Sequence, residues 1–512
     1  MKKPTGFLSN SPHVLRSLER RCSGGDGPWA CSRSKGGKHV ACSGKVARDA
    51  AIDPRELCRA VLKGIARQLR EDRRLKDGCF GVQAEDDEEE IIEQCRGPRE
   101  GYSGKFRDDL SGQILKDDLV LKARLVELDF FHSKGVWIKQ PVSRARQRTG
   151  KSPISVRWVD VNKGDEANPK YRSRLVARQM KAHDHSGASY FAPAPPLEAL
   201  RTVLSLGVTS IGNHSPDLDP HSPTRTQISF LDVTRAYFNA KVDPRDPPIF
   251  VSLPAEDPHH QEMCARLLRH MYGTRMAADG WQEEYSTLLI GMGFKQGTAS
   301  PNLFCHEARG IKCTVHGDDF TSCGRSDQLD WFEKTVAEKY EVTVGPRLGP
   351  GPNDAKEARA LNRVVRWTER GIEYEADPRQ TERLVSECGL TGANSMATPG
   401  VRATAAEIAA DQELPNHLCT AFRSAAARGN YLAADRIDAQ FACKEVCRHM
   451  AKPSAESWKA LKRVCRFLNG RPRLVYTYPR QRAEYIDVYT DTDWAGCPRT
   501  RKSTSGGCVL LG

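Results

Sequence analysis

Two adjacent carboxylates, Asp318 and Asp319, close the short run Thr314-Val315-His316 and follow Gly317, a residue that lets the backbone turn tightly. Hard divalent cations take oxygen ligands, so a carboxylate pair on a tight turn is suited to holding one. Adjacent acids also decorate many solvated loops, and the pair therefore needs partners elsewhere in the chain. Asp232 is one candidate. It lies in the β-rich run Gln227 to Phe238, at a turn that reads as buried, where a carboxylate is costly unless a cation compensates it. Arg172, Arg174 and Arg178 recur with a period of two, so on a strand their guanidinium groups project together. Such a row suits a triphosphate or a nucleic-acid backbone, although an exposed basic edge strand has the same pattern.

The elements that must position these groups follow from periodicity. Ile154 to Val161 alternates almost strictly, Asn162-Lys163-Gly164-Asp165 makes a turn, and Lys170 to Arg178 returns as a second strand. Val136-Trp137-Ile138 is a further short strand. A helix follows Pro195-Pro196 with Leu197, Leu200 and Leu204 on one side, and another spans about 278–290 with Trp281, Tyr285, Leu288 and Leu289 on one face. A strand from Ile311 to Val315 delivers the aspartate pair. Val364 to Trp367 and Ile372 to Glu375 predict a hairpin of the kind that can lie against a duplex. A helix from Ser454 to Gly470 buries Trp458, Leu461, Cys465 and Leu468, with Lys459, Lys462, Arg463 and Arg466 on its other sides. By composition alone, that is an ordinary amphipathic helix. Tyr485 to Asp491 is a strand that starts a new unit.

Upstream, residues 1–46 are rich in Gly, Ser, Lys and Arg and read as a flexible basic arm. Cys22, Cys31, His39 and Cys42 fit no compact zinc finger, and Gly37 to Val46 misses the spacing of a phosphate loop. Asp53-Pro54 opens a helix carrying Leu57, Val61, Ile65 and Leu69, and the acidic run 85–90 with Gly97-Pro98 reads as a linker.

The chain of 512 residues, 39% hydrophobic and 28% charged, is long enough for two to four packed units. Its net charge of +13 favours a polyanionic partner. No stretch approaches the ~18–20 apolar residues of a spanning helix, so a soluble protein is expected. Seventeen cysteines without a Cys-x-x-Cys pair argue against a disulfide framework and a zinc ribbon, and for a reducing compartment.

Taken in order, the motifs resemble the reverse transcriptase of copia-type (Pseudoviridae-like) LTR retrotransposons over roughly residues 100–512. Tyr171 to Arg178 is similar to the family's Tyr-Lys-Ala-Arg-Leu-Val-Ala-Lys, and Tyr190-Phe191-Ala192-Pro193 to its Phe-Ala-Pro. Asp232 to Phe238 resembles the first catalytic motif, Tyr272-Gly273 with Trp281 the next block, and Asp318-Asp319 the catalytic doublet. Ser457 to Arg463 resembles the thumb, and Asp491 to Gly496 with Arg501 to Gly506 the opening of a ribonuclease H domain.

The resemblance implies an α+β right-hand polymerase with fingers, an antiparallel palm sheet and a helical thumb, followed by a truncated ribonuclease H-like α/β start. The expected divisions are 1–99 as a basic, partly disordered N-terminal region, 100–345 as fingers and palm, 346–479 as primer-grip hairpin and thumb, and 480–512 as the ribonuclease H start. Asp232 and Asp318 would ligate two Mg²⁺ ions, with Mn²⁺ as a substitute, Asp319 beside them and the Val233 carbonyl assisting. Arg172 and Arg174 would clamp a dNTP triphosphate and Tyr237 would exclude a 2′-hydroxyl. The 364–375 hairpin with Trp367 would grip the primer, while Lys459, Lys462, Arg463 and Arg466 would hold the duplex by its phosphates. Asp491 matches the first ribonuclease H ligand, the remaining carboxylates would fall beyond Gly512, and RNA cleavage in a hybrid is not expected. Partners would be an RNA or DNA template-primer, dNTPs, and integrase and capsid segments of the same polyprotein, with a cytoplasmic virus-like particle or the nucleus as location.

Two departures from the family concern the site. Gly273-Thr274-Arg275-Met276-Ala277-Ala278 replaces Gly-Leu-Lys-Gln-Ala-Pro, putting Met276 where a glutamine faces the nucleotide, and His316-Gly317 replaces Tyr-Val before the doublet. A decayed remnant that only binds nucleic acid is the alternative.

Overall fold

The computed structural model describes residues 105–165, 167–180, 192–497 and 500–512. The arm, the helix expected from Asp53 and the acidic linker lie outside the described residues, as do Tyr190 and Phe191. The chain divides into two compact units, residues 1–120 with 179–188, and residues 121–178 with 189–512. In the first, the described part is a turn in which the Asp108 carboxylate accepts from the amides of Leu110 and Ser111, both at 2.8 Å.

The division falls within helix α1 (Asp117–Ser133). Next come strand β1 (Trp137–Pro141), α2 (Val142–Thr149), and the ribbon of β2 (Val156–Asn162) with β3 (Tyr171–Ala177). They are followed by α3 (Leu197–Leu206), β4 (Thr209–Ile211), β5 (Thr226–Val233), a 3₁₀ turn at Ala236–Asn239, β6 (Phe250–Ser252) and β7 (Met263–Leu267). Then run α4 (Ala277–Gly291), β8 (Lys295–Gln296), β9 (Leu303–His306), β10 (Ile311–His316), β11 (Asp319–Arg325), α5 (Ser326–Lys339) and β12 (Val342–Val344). β5 lies between β12 and β11 in a six-stranded sheet of order β12-β5-β11-β10-β9-β8. One face of this sheet, through Leu231, Val233, Val315 and Phe320, is buried on Trp281, Tyr285 and Leu289 of α4 and Leu329, Phe332 and Val336 of α5. Spacings of four and four in α4, and of three and four in α5, put the three residues of each set on one stripe.

A second sheet follows, β13 (Glu357–Ala360), β14 (Arg363–Thr368), β15 (Gly371–Glu375) and the later β16 (Val475–Pro479), in that order. The hairpin expected at 364–375 forms as β14 and β15. It is, however, the middle of this sheet, and Val365, Trp367, Ile372 and Tyr374 pack against Leu200, Val203 and Leu204 of α3. Trp367 is 4% exposed and so cannot present its ring to a duplex, which corrects the expectation from sequence. The alternation of β14 decides this: the side on which Trp367 falls is the one α3 covers.

The helical part comprises α6 (Pro378–Glu387), α7 (Ala405–Ala410), α8 (Asn416–Ala433), α9 (Ile437–Cys447) and α10 (Ala455–Gly470), with Phe422, Leu461, Cys465 and Leu468 in one core. α10 begins as its sequence requires. The Ser454 side chain accepts from the Ser457 amide and the Ser457 hydroxyl accepts from the Ser454 amide, a reciprocal cap. Trp458 is only half-buried. Strands β17 (Gln481–Ala483), β18 (Ile486–Thr492) and β19 (Ser505–Leu511) complete the chain, β18 and β19 as a separate ribbon. Among the described residues no helix is long and apolar enough to cross a membrane.

Candidate active site

The site is built on a two-residue hairpin. His316 pairs with Asp319 across β10 and β11, leaving Gly317 and Asp318 as the loop. Gly317 has φ 65°, the left-handed region that the first loop position of such a hairpin needs and that glycine reaches without strain. The loop is pinned twice. Buried Trp281 on α4 donates Nε1–H to the Gly317 carbonyl at 2.8 Å, and the Val233 amide donates to the Asp318 carbonyl at 3.0 Å.

In the next strand pair Asp319 stands directly opposite Asp232. Leu231 and Val233 point into the core, at 2% and 0% exposure, so strand alternation turns Asp232 outward and leaves it exposed. The buried turn expected for Asp232 is therefore corrected. What calls for a cation is the partial desolvation of these carboxylates together with the crowding of like charge, since identical charges opposite each other across strands are unfavourable. Burial, then the charges of Asp318 and Asp232, push Asp319 up to about 6. Partial desolvation and Asp318 also raise Asp232, against the pull of Arg172 and Arg174.

Among the described residues no group of three or more acidic, histidine or cysteine side chains is arranged so that it could by itself hold a metal ion. An open group of carboxylates nevertheless fits Mg²⁺, which keeps waters and substrate phosphates among its ligands rather than entering an all-protein cage. Asp232, Asp318 and Asp319 offer only oxygen donors and relieve their mutual repulsion when a cation binds.

On the same open face a cavity of about 200 Å³ is bounded by Asp232, His316 and Asp319 below and by Arg359, Ala360 and Leu361 above. The upper wall is the β13–β14 turn, where Leu361 and Asn362 have φ 48° and 66°, the two left-handed residues of a type I′ hairpin. The hairpin whose turn shares this cavity with the carboxylates is thus β13–β14.

Arg172 and Arg174 point to one side of β3 while Ser173, Leu175 and Ala177 are buried. The Arg174 guanidinium lies over the Tyr272 ring at 4.7 Å, and its Nε is buried without a hydrogen-bond partner. Tyr272 in turn meets Tyr237 edge-on at 5.1 Å. The Ala177 amide donates to the Tyr272 carbonyl at 2.8 Å, and a Cβ on Gly273 (φ 77°) would collide with the Ala177 carbonyl. Only glycine lets the β2–β3 ribbon dock there. Tyr237 is raised by burial and then by Asp318, so it sits within electrostatic reach of the doublet.

Other expected site residues fall elsewhere. Met276 caps α4 and packs on the apolar cluster of Leu175, Phe238 and Met271. On α10, Lys459 is paired with Glu407 at 3.3 Å and Arg463 donates to Thr398, whereas Lys462 lies over Trp458 and Arg466 is exposed. Asp491 is exposed on the β18–β19 ribbon. Two residues that sequence reading missed are Glu127 and Arg235. Arg235 has φ 50° and ψ 49°, a conformation that costs a non-glycine residue roughly 1–2 kcal/mol, and its Nε donates to Glu127 at 2.8 Å. A lone glutamate in an amphipathic helix carries no signal of that role.

Residues 144–349 match the reverse transcriptase (RNA-dependent DNA polymerase) family. The chain is 27% identical over 376 residues to the retrovirus-related Pol polyprotein from transposon RE2 of Arabidopsis thaliana, covering 70% of this chain and 23% of that one. It is 23% identical over 445 residues to the corresponding polyprotein from transposon TNT 1-94 of Nicotiana tabacum, covering 81% and 30%. The chain thus spans less than a third of the length of these relatives. A solved foamy viral protease-reverse transcriptase in complex with double-stranded DNA is more distant, at 13% identity and a TM-score of 0.37 over 73% of this chain and 52% of that one.

Proposed function

The chain belongs to the reverse transcriptases of copia-type LTR retrotransposons, and on that premise we propose that it is an RNA-directed DNA polymerase acting by two-metal-ion nucleotidyl transfer. The observation that carries this reading is the pairing of Asp319 with Asp232 across β5 and β11, with Asp318 in the adjoining loop. Asp232 and Asp318 would hold two Mg²⁺ ions with Asp319 and the Val233 carbonyl. When bound, such ions stabilise the attacking and leaving oxygens of an in-line displacement. The protein's own groups do the rest. Arg172 and Arg174, unclaimed by any ion pair among the described residues, would neutralise and orient a triphosphate. Tyr237, held by Tyr272, would close the space beside the sugar C2′. The Leu361-Asn362 tip would seat the primer end, and Lys462 and Arg466 would hold duplex phosphates without reading sequence.

In this reading the six-stranded sheet is the palm, the β2–β3 ribbon the fingers, and α6 to α10 the thumb. The divisions at 99, 345 and 479 remain part of the proposal, as do a ribonuclease H start at β18–β19, integrase and capsid segments, and a particle or nuclear location.

The test is Mg²⁺-dependent extension of oligo(dT) on poly(rA) by the purified chain. Extension that requires both template and metal is expected, and its absence sinks the reading. Salt-sensitive duplex binding without extension would instead favour a remnant, a reading that Met276, packed among apolar side chains, also supports.

Two variants refine the assignment. Tyr237→Val should admit UTP, lowering discrimination against the ribonucleotide by roughly tenfold or more, if the ring excludes the 2′-hydroxyl. Steady-state incorporation of dTTP and UTP measures it. Trp281→Phe keeps the ring packed on Tyr285 and Tyr340 but loses the bond to Gly317, worth about 1 kcal/mol. Extension should slow roughly tenfold, because the loop that aims Asp318 is loosened, with a loss of stability of about 1–2 kcal/mol from the lost bond and the smaller buried ring. An unchanged rate would mean that α4 does not position the loop.

A further inference from the structure

We propose that Glu127 on α1 is a positioning residue that, through Arg235, fixes the turn carrying Tyr237 and so sets how the sugar of an incoming nucleotide is read. The nucleotide part of this inference rests on the polymerase reading; the positioning part does not.

The Glu127 side chain is 2% exposed, and its Oε2 accepts from Arg235 Nε at 2.8 Å while Oε1 has no hydrogen-bond partner. One turn along α1, the Phe130 ring lies 4.0 Å from the Arg235 guanidinium, which is thus held by a buried charge and an aromatic face from one helix. Arg235 needs that hold. It is the left-handed residue between β5 and the 3₁₀ turn, and its carbonyl accepts the Phe238 amide at 3.0 Å. The far side of the turn is gripped by the same helix, since Phe131 meets Phe238 edge-on at 4.6 Å. Ala236 and Tyr237 are therefore strung between two attachments to α1. Tyr237 can meet Tyr272, beneath Arg174, only if both hold. Arg174 and Arg172 also lie within electrostatic reach of Glu127, so its charge supports the groups expected to meet the triphosphate.

The experiment uses the full chain and the variants Glu127→Gln and Phe130→Leu. The first removes charge at constant shape, and the second removes the ring without leaving a buried charge unpaired. Amide hydrogen exchange of the segment 234–240 should accelerate roughly tenfold in Glu127→Gln and about threefold in Phe130→Leu. Discrimination between dTTP and UTP should fall several-fold in Glu127→Gln, chiefly through KM. Unchanged exchange at the turn with a lowered unfolding midpoint would overturn the proposal, leaving Glu127 a support of the fold. Faster exchange with unchanged discrimination would overturn its nucleotide part. If the wild-type chain does not extend a primer, the polymerase reading falls while exchange still decides the clamp. Should Glu127→Gln fail to fold, Phe130→Leu carries the same measurement.

Discussion

Asp318→Asn should abolish primer extension, by roughly a thousandfold or more, while leaving the fold as stable as the wild type or more so. Asparagine keeps the side-chain shape, and both bonds that fix the loop, Trp281 to Gly317 and Val233 to Asp318, involve main-chain carbonyls that the substitution leaves in place. What disappears is a negative charge facing two others. Asp319, pushed up to about 6 by burial and by the charges of Asp318 and Asp232, should then titrate closer to an ordinary carboxyl.

The consequence for stability has a definite sign. A carboxyl whose folded value is raised favours the fold while it is protonated, and that contribution is lost as pH rises through about 6. Without metal, the wild type should therefore lose stability relative to Asp318→Asn between about pH 4 and pH 6. Mg²⁺ should restore it at pH 7.5, where the cation meets three ionised groups, and do less at pH 5, where it competes with a proton. Unfolding midpoints across pH with and without Mg²⁺ read this directly. Equal extension by both proteins, or parallel pH profiles, would remove the aspartates from the centre of the mechanism.

Asp435→Ala should produce the largest loss of stability, roughly 3–5 kcal/mol. Asp435 lies between α8 and α9, is 2% exposed, and accepts from Arg363 at 2.9 Å, Arg201 at 3.0 Å and the Tyr374 hydroxyl at 2.6 Å. One carboxylate thus ties α3, the β13–β16 sheet and the helices together, and removing it leaves two guanidinium groups facing each other around an unpaired phenol. Asp435→Asn, which can still accept hydrogen bonds, should lose less, about 1–3 kcal/mol. Arg363 directly follows the Leu361-Asn362 tip, so extension should weaken in both variants through the tip that overhangs the carboxylates. Denaturant unfolding checks the order Ala below Asn below wild type; a loss under about 1 kcal/mol for alanine would show that the network is not needed to hold these parts together.

Much of this was legible in the residues themselves. Period-two alternation located β2 and β3, and short apolar runs located β10 and the β14–β15 hairpin; the Ser454 cap and the stripe of Leu461, Cys465 and Leu468 located α10 almost to the residue; and the aspartates stood out by type and order. These are local properties, fixed by chain geometry within a few residues. The errors share a cause. For Asp232 and Trp367 the alternation was readable but its phase against the core was not, because which face is buried depends on α3, α4 and α5, elements supplied by other stretches of sequence. The 364–375 hairpin, expected as a ribbon free to lie against a duplex, became the middle of a sheet because β16, arriving about a hundred residues later, made β15 an interior strand.

Sequence alone thus determined the groups this chain can bring to its chemistry: three carboxylates, a paired row of arginines and a tyrosine in a fixed order. Tertiary structure decided which of those groups meet. Asp319 opposes Asp232 only through strand pairing, Trp281 holds the loop only because α4 packs beneath it, and Glu127 meets Arg235 across 108 positions. Local propensity encodes the shape of each segment, but contacts of this range exist only once burial of the shared core has brought the segments together.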